Sequence, residues 1–479
     1  MIPAPQPPRS GRWAWILGLG LVLSAVGGAA LLRLRAGAVP ADRPPTVVLV
    51  VLDTVRADHV SACGYGRPTT PTLSSLVAQG AVLSCDAVAP ASWTLPSHAS
   101  FFTGLPPEEH GAHFVPLDAP NLLTSMQVRP LGPEPQTLAE TYAARGYQTV
   151  LVSGNPVVGS ATGLGRGFAQ ARTAESFAQL RRTRLLDALR EELAAGAADH
   201  RQPLFLVLNL ADAHEPWAPP PPDVGWLDGK AAPESRMSEV FQQQLSEEAL
   251  AEHVLRMTNS YDYGVFQADQ VLGEALALLQ QEGWADTGMR LVVVSDHGQF
   301  LGEHGLVDHG RYLWEPNQRV FLLQAWLGPH APTGEPAALP PEIPARYAHD
   351  LVLDGHLPAT LDLATAAAWP DAYWQQLSAG RVGTSTSAAI WSGDEKLLWQ
   401  DGQELRFDLH ADPQELAPQA LAPDHPLKAR LDRLAARVEE SAGGPVALSP
   451  ELVQQLIAAG YMQAPGEEAG AAPGAGPPH

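Results

Sequence analysis

Four apolar runs, each followed directly by polar residues, recur along the chain. They are TVVLVVLD from Thr46, YQTVLVSGN from Tyr147, PLFLVLNLADAH from Pro203 and MRLVVVSDHG from Met289. Each run is continuous rather than alternating, which is typical of a strand that is buried on both faces of a parallel sheet. Helical stretches precede the runs. The pattern therefore predicts an α/β fold with a mainly parallel sheet sandwiched by helices.

Two of the intervening helices can be assigned from the sequence. TPTLSSLVAQG begins at the capping residue Thr70 and ends at Gly80, and a longer, charged helix is expected from Thr173 to Ala198. Ligands of open parallel sheets bind at the carboxyl ends of the strands, so the polar groups at those ends should converge on one region. These groups are Asp53, Asn155, Asp212, His214, Asp296 and His297.

The pattern changes from about Ala388. AAIWSGDEKLLWQDGQELRFDLHADP alternates short strand-like pieces with turn residues, and helices are expected over 426–441 and 450–459. We predict a catalytic domain over residues 46–387, a small antiparallel α+β subdomain over 388–462 and a disordered tail over 463–479.

The first 35 residues are predicted to be a membrane anchor or signal segment, joined by a linker over residues 36–45. An uncharged run of 20 residues from Trp13 to Leu32 is flanked by arginines on both sides. About 20 apolar residues span a bilayer core, which favours an anchor. The alternative is cleavage after the small residues at 36–38 and release of the protein. Both interpretations place the catalytic domain outside the cytoplasm, in the periplasm or extracellular space.

Composition narrows the possible functions. The chain has 479 residues, of which 45% are hydrophobic, and it is therefore too apolar to be disordered as a whole. A formal net charge of -22, spread without acidic blocks, makes a nucleic-acid partner unexpected. The two cysteines, Cys63 and Cys85, exclude a disulfide framework and a cysteine-built zinc site, but permit one disulfide bond in an oxidising compartment.

Two segments carry candidate chemistry. SDHGQFLGEHGLVDHG, residues 295–310, places Asp296 and His297 at a strand end, where they offer a carboxylate and an imidazole to a divalent ion. The alternative is an exposed loop whose histidines contact only water. APASWTLPSHASFFTG, residues 89–104, places Thr94 just before a helix start, which favours an anion, although a hydroxyl there is usually a simple cap. Asp53 is a third candidate ligand.

Five segments in this order resemble the sulfatase-like branch of the alkaline phosphatase superfamily: VVLVVLDTVRADHVSACGYGR, ASWTLPSHASFFTGLPPEEHG, ADAHEPW, SDHGQFLGEHGLVDHGRYLWE and LRFDLHADPQE. The resemblance runs from about Thr46 to Ala417 and implies an alkaline-phosphatase-like core with a small C-terminal antiparallel subdomain. It also implies roles for the matching residues: Asp53, Thr94, Asp296 and His297 as metal ligands, Thr94 also as the nucleophile, and His214 and His309 as catalytic groups that touch the substrate or leaving group. We further predict His98, Asn155 and Asp212 as substrate-binding residues, the alternative for His98 being a structural role at the start of the helix.

The chain departs from typical sulfatases at several of these positions. Thr94 replaces the Cys or Ser that becomes formylglycine, His98 replaces an arginine, Thr54 replaces a second aspartate and His297 replaces an amide ligand. These changes resemble the threonine-using phosphoester hydrolases and the phosphoglycol or phosphoethanolamine transferases of the same superfamily. An imidazole ligand favours one zinc or manganese ion over calcium or magnesium.

We therefore predict a metal-dependent hydrolase that cleaves phosphate or sulfate esters with a metal-activated Thr94 nucleophile. The expected substrates are small-molecule, glycan-linked or lipid-linked esters. The sequence leaves undecided whether Asp212, His214 and His309 hold a second metal ion. The alternative functions are an arylsulfatase-type hydrolase of sulfuric esters, a transferase, and a non-catalytic binding protein of the cell envelope.

Overall fold

The computed structural model describes residues 40, 42–115, 127–177, 179, 181–196, 201–217, 220–221, 224–227, 247–310, 312–329, 338–369, 386–400, 402–442 and 450. The predicted anchor or signal segment, half of the linker, the tail and nearly all of the predicted helix over 450–459 lie outside these residues. No helix in the described part of the chain combines the length and the apolar composition that a bilayer crossing requires.

Sixteen strands form in the described residues. They are β1 (Thr46–Leu52), β2 (Val82–Val88), β3 (His113–Val115), β4 (Gln127–Arg129), β5 (Gln148–Ser153), β6 (Gln170–Thr173), β7 (Leu204–Leu210), β8 (Met289–Ser295), β9 (Phe300–Leu301), β10 (Val307–Asp308), β11 (Arg319–Leu327), β12 (Thr365–Ala368), β13 (Ser387–Ser392), β14 (Glu395–Gln400), β15 (Gln403–Asp408) and β16 (Gln419–Ala420).

Nine α-helices accompany the strands in the same residues. They are α1 (Pro71–Ala78), α2 (Thr94–Thr103), α3 (Pro107–His110), α4 (Leu138–Ala144), α5 (Thr183–Gly196), α6 (Glu247–Gln281), α7 (Glu315–Gln318), α8 (Ala348–Leu353) and α9 (Lys428–Ser441). α1 lies within the segment predicted to be helical. The helix expected from Thr173 starts only at Thr183, because Thr173 instead ends β6, which pairs with β5.

The central sheet has seven strands in the order β2-β11-β8-β1-β7-β5-β6. β8, β1, β7, β5 and β6 pair in parallel, and β11 runs antiparallel to both of its neighbours. Alternate residues of β1 belong to different hydrophobic cores: Val47, Leu49 and Val51 face one layer, and the residues between them face the other. The predicted mainly parallel sheet sandwiched by helices is confirmed, and the burial of both faces explains the continuous apolar runs.

The C-terminal part forms a second, antiparallel sheet in the order β12-β13-β14-β15-β16, with α9 packed against β13 and β14. This confirms the predicted antiparallel α+β subdomain. β12 precedes the predicted boundary at residue 388, so the sheet includes a strand from the range assigned to the catalytic domain. The signal was weak because β12 is only four residues long and rich in alanine.

An ion cluster centred on the buried side chains of Lys396 and Glu415 joins this subdomain to the larger sheet. Lys396 on β14 donates hydrogen bonds to Glu415 at 2.5 Å and to Glu315 at the start of α7 at 3.3 Å. Glu415 in turn accepts a hydrogen bond from the backbone N–H of Glu315 at 2.7 Å. Arg319 at the start of β11 pairs with Glu315 and with Asp86 on β2. The cluster therefore connects the C-terminal sheet to two strands of the central sheet.

The two cysteines form a disulfide bond between Cys63, after β1, and Cys85 on β2. The bond closes a loop with a sequence separation of 22 residues. A loop of this length stabilises a fold by about 3 kcal/mol in the chain-entropy treatment. The loop that leaves β1 is thereby tied to the edge of the central sheet.

Candidate active site

Three predicted metal ligands meet at the carboxyl edge of the central sheet. Asp53 follows β1 and Asp296 follows β8, and these strands are neighbours in which Leu52 pairs with Ser295. Ligand atoms of Asp53, Asp296 and His297 lie within 4.8 Å of one another, and all three side chains are fully buried. The parallel register of two adjacent strands therefore brings residues 243 positions apart in sequence (296 − 53) into one cluster.

Each of the two carboxylates has one oxygen held by the protein and one without a partner. Asp53 Oδ2 accepts hydrogen bonds from the side-chain amides of Asn155 at 2.8 Å and Asn209 at 2.9 Å. Asp296 Oδ1 accepts from the backbone N–H groups of Thr54 at 3.0 Å and His297 at 2.9 Å. Asp53 Oδ1 and Asp296 Oδ2 are buried and unpartnered in the described structure. Two oriented, unpartnered carboxylate oxygens fit a divalent cation.

The imidazole of His297 completes the set of ligand atoms. Its Nδ1 donates a hydrogen bond to the carbonyl of Gly298 at 2.9 Å, which leaves the lone pair on Nε2. Nε2 lies 3.4 Å from Asp296 Oδ2, an oxygen that has no hydrogen-bond partner. Burial, with a smaller contribution from His309, lowers the pKa of His297 to about 3, so the ring is neutral and able to bind a metal.

Burial also dominates the electrostatics of the carboxylates. It raises the pKa of Asp53 to about 7, with further repulsion from Asp296, and it raises the pKa of Asp296 to about 7. Two neighbouring buried anions are unfavourable without a cation. Asp212, His214 and His309 do not form a second cluster of this kind among the described residues.

Thr94 is the first residue of α2 and is fully buried. The helix thus starts at Thr94 itself, whereas the sequence analysis placed Thr94 just before the helix start. Thr94 Oγ1 accepts a hydrogen bond from Asn155 Nδ2 at 3.1 Å and lies 3.4 Å from His297 Nε2. The hydroxyl is therefore next to the metal ligands and at a helix N-terminus, where developing negative charge is stabilised.

His98 lies one turn after Thr94 on the same helix, and its two ring nitrogens both contact protein groups. Nδ1 donates to the Thr94 carbonyl at 3.0 Å, and Nε2 accepts from Asn209 Nδ2 at 3.1 Å. Burial lowers the pKa of His98 to about 3, which keeps the ring neutral. In the structure His98 contacts Thr94 and Asn209, in line with the structural role that the sequence analysis gave as the alternative to substrate binding.

Asn209 is a site residue that the sequence analysis missed. Its amide donates to both Asp53 and His98, and so it links the metal ligands to the helix that carries Thr94. The available signal was a polar residue near the carboxyl end of the otherwise apolar run of β7. Asn155, which was predicted, performs the equivalent task from β5 by donating to Asp53 and Thr94.

Two histidines border the cluster on one side. The ring centroids of His309 and His297 are 4.5 Å apart, and those of His214 and His309 are 5.0 Å apart. His309 Nδ1 contacts Asp308 at 2.9 Å and Gln299 at 3.1 Å, so neither contact uses Nε2. Burial opposes the charged ring, but Asp308 and the site carboxylates outweigh it and raise the pKa of His309. Burial, together with His309, holds the pKa of His214 well below its ordinary value.

Asp212 lies two residues beyond β7 and is 1% exposed. Burial raises its pKa to about 6, and the positive charge of Arg181 opposes that shift. Arg181 was not singled out in the sequence. It lies just before α5 and is fixed by hydrogen bonds to the carbonyls of His214 at 2.9 Å and Pro216 at 2.6 Å. Its charge acts on both Asp212 and Asp53.

Gly298 is required by the packing behind His297. A Cβ at this position would lie 1.9 Å from the carbonyl oxygen of Pro316 and 3.0 Å from Arg56 Cγ. We expect Gly298→Ala to displace the loop, to weaken metal binding and to lower the unfolding free energy by about 1–3 kcal/mol. Thermal unfolding and metal titration test this. Gly66→Ala is the control, because nothing lies within 4 Å of its Cβ; unchanged melting and metal affinity in Gly298→Ala would contradict the prediction.

Comparisons with solved structures identify similar folds. The chain is similar to the phosphonate monoester hydrolase of Agrobacterium radiobacter, with 18% identity and a TM-score of 0.57 over 83% of this chain and 95% of that one. The phosphonate monoester hydrolase from Silicibacter pomeroyi is 18% identical, with a TM-score of 0.56 over 83% of this chain and 95% of that one. A protein solved with its substrate D-glucosamine-2-N,6-O-disulfate is 16% identical, with a TM-score of 0.55 over 83% of this chain and 97% of that one.

No protein of curated function matches the chain. A family model described as Sulfatase, however, matches residues 45–332, which include the described metal cluster, Thr94 and both bordering histidines. That match covers more than half of the chain and agrees with the alkaline-phosphatase-like architecture of the structure. The chain therefore belongs to the sulfatase family, whose members are hydrolases of sulfate or phosphate esters.

Proposed function

We propose that this enzyme hydrolyses phosphate esters with Thr94 as its nucleophile. The observation that carries the proposal is the position of the Thr94 hydroxyl, 3.4 Å from His297 Nε2 and beside a pair of unpartnered carboxylate oxygens. A hydroxyl is a weak nucleophile unless a base or a metal ion activates it. Asp53, Asp296 and His297 supply a site for such an ion next to that hydroxyl.

Asp53, Thr94, Asp296 and His297 would hold the ion. A divalent cation bound there lowers the pKa of a neighbouring hydroxyl and offsets negative charge on the reacting ester. Two carboxylates and one imidazole suit zinc or manganese better than calcium or magnesium, which prefer oxygen ligands alone. The pairs of N–H donors on Asp53 and Asp296 orient their remaining oxygens, as the outer contacts of metal sites commonly do.

The protein groups then account for the two steps of hydrolysis. The Thr94 oxygen bonds to phosphorus while the bond to the alcohol oxygen breaks, and Thr94 gives up its proton to solvent. His309 Nε2 protonates the departing alcohol oxygen. Water next attacks the phosphothreonine, passes a proton to His309 and releases phosphate, and the Thr94 oxygen regains a proton from solvent. His214 stays neutral and positions His309 through ring contact.

The choice of phosphate over sulfate rests on Thr94. Sulfatases use the hydrated aldehyde formed from a cysteine or serine at this position, and a threonine side chain cannot yield that aldehyde. Two structurally similar proteins are named as phosphonate monoester hydrolases, and a third was solved with a sulfated glucosamine as its substrate. Hydrolysis of sulfate esters is therefore the alternative activity, and the assay described below compares it with hydrolysis of phosphate esters.

We also propose that the catalytic domain works outside the cytoplasm, anchored by the apolar segment from Trp13 to Leu32. The disulfide bond between Cys63 and Cys85 supports this location, because such bonds persist in oxidising compartments. Cleavage of the apolar segment would instead release the enzyme.

The test is hydrolysis of an aryl phosphate monoester, a phosphodiester and an aryl sulfate by the purified full-length chain. Each substrate is assayed with zinc, manganese, calcium or magnesium. Metal-dependent release of phosphate with little release of sulfate is the expected result. Turnover of sulfate alone would overturn the substrate assignment. Tight metal binding without turnover of any ester would instead favour a transferase that needs a specific acceptor.

A further inference from the structure

Asp212 is a buried carboxylate that the proposed reaction does not use. Both of its oxygens are buried and have no hydrogen-bond partner in the described structure. Its backbone is held in place, because α6 packs closely against it: a Cβ on Gly264 would lie 2.4 Å from the Asp212 carbonyl oxygen. A fixed and buried carboxylate with no partner among the described residues favours a ligand that brings hydrogen-bond donors.

The side chain of Arg181 supplies the complementary group. Its two terminal nitrogens are occupied by the carbonyls of His214 and Pro216, but its Nε is buried without a partner. Arg181 makes no ion pair with Asp212 within 4.0 Å among the described contacts, although its charge acts on that carboxylate. Asp212 and Arg181 thus leave two acceptor atoms and one donor atom without hydrogen-bond partners among the described residues.

This pair lies beside the groups assigned to the departing alcohol. Arg181 binds the carbonyl of His214, whose ring contacts that of His309. Asp212 lies three residues after Asn209, which contacts the metal ligand Asp53. Asp212 does not belong to the cluster of metal ligands. The geometry therefore associates Asp212 and Arg181 with the part of the ester that leaves.

We propose that Asp212 and Arg181 form a subsite for hydroxyl groups on the alcohol portion of the substrate, so that the enzyme acts on esters of polyols or sugars. A hydroxyl group both donates and accepts a hydrogen bond, and so it satisfies Asp212 and Arg181 together. An ammonium group donates to Asp212, but it offers no acceptor to Arg181 Nε and is repelled by the charge of Arg181. An alkyl group satisfies neither residue. This inference rests on the proposed ester hydrolysis and specifies its substrate class.

Three phosphate monoesters of equal chain length test the subsite: glycerol 1-phosphate, propyl phosphate and 3-aminopropyl phosphate. Release of inorganic phosphate by the metal-loaded full-length enzyme gives kcat/KM for each. We expect glycerol 1-phosphate to be preferred over both others at least about tenfold, since unpaired buried polar groups penalise an analogue that lacks the hydroxyls. Asp212→Asn and Arg181→Met should each bring this ratio close to one.

Asp187→Asn is the matched control, because it neutralises an exposed carboxylate on α5 and should leave the ratio unchanged. Thermal unfolding and metal affinity establish that each variant is folded. Equal kcat/KM for glycerol and propyl phosphate in the wild type, preference for the aminopropyl ester, or an unchanged ratio in Asp212→Asn would overturn the subsite.

Failure of the proposed hydrolysis gives a different result. If the wild type cleaves none of the three esters, the same compounds are compared by calorimetric titration of the metal-loaded protein. Tighter binding of glycerol 1-phosphate that is lost in Asp212→Asn would support the subsite even though the reaction is wrong. Equal binding of all three compounds would overturn the subsite as well.

Discussion

Replacing Thr94 by alanine is expected to lower kcat for phosphate esters by on the order of 10³-fold or more, because the variant lacks the oxygen that bonds to phosphorus. Asp53, Asp296 and His297 remain, so the variant should still bind a divalent ion. Steady-state kinetics and metal titration on the same preparation separate these two effects. Activity of the alanine variant close to that of the wild type would rule out Thr94 as the nucleophile.

Thr94→Ser is the matched control, since it keeps the hydroxyl and removes only a methyl group. We expect it to retain activity within about tenfold of the wild type. Acid quenching during turnover, followed by mass spectrometry, should find phosphate on the peptide that contains Thr94 in the wild type and in Thr94→Ser. Thr94→Ala should show none.

The affinity for the divalent ion is expected to fall steeply as the pH is lowered. The pKa values of Asp53 and Asp296 are raised to about 7, so both carboxyl groups of the metal-free protein take up protons below that pH. The ion must displace those protons, and the affinity should therefore fall by up to about 100-fold per pH unit well below pH 7 and level off above it. His297 contributes no proton, because its pKa is lowered to about 3.

Calorimetric titration in buffers of different ionisation enthalpy measures both the dissociation constant and the number of protons released. Since ligand binding stabilises the folded state in proportion to its affinity, the ion should also raise the melting temperature more at about pH 8 than at about pH 6. Asp296→Asn should bind the ion more weakly and release fewer protons. If the affinity does not depend on pH over this range, the pKa values of Asp53 and Asp296 are not both raised.

The fold was largely predictable because burial on both faces produces a distinctive sequence. β1, β5, β7 and β8 all appear as continuous apolar runs, and their parallel pairing follows from the helices between them. The antiparallel direction of β11 was not predictable, since a buried strand looks the same in either direction. The start of α5 was misplaced because the pairing of Thr173 with β5 is a tertiary contact that overrides local helix propensity.

The candidate site was predictable to the extent that its residues end strands or start helices. Asp53 and Asp296 directly follow two neighbouring parallel strands, so their convergence follows from the topology. Thr94 starts a helix instead, and its place in the site was expected only from the resemblance to the sulfatase-like proteins. Asn209 and Arg181 were missed for a different reason. Each acts through contacts between distant segments, such as the hydrogen bond from Arg181 to the carbonyl of His214, and no local pattern distinguishes it from a strand or loop residue.

The ion cluster around Lys396 has a consequence for how this protein can be divided. Lys396 is fully buried, and its partner Glu315 opens the helix just after the loop that carries His309. A recombinant fragment ending near residue 387 would lose the lysine, so that the partly buried Glu315 keeps Arg319 as its counter-charge but loses one member of its charge network, which is destabilising. The shortest fragment expected to fold as an active enzyme therefore extends through α9, and limited proteolysis between the two sheets should yield pieces that stay associated.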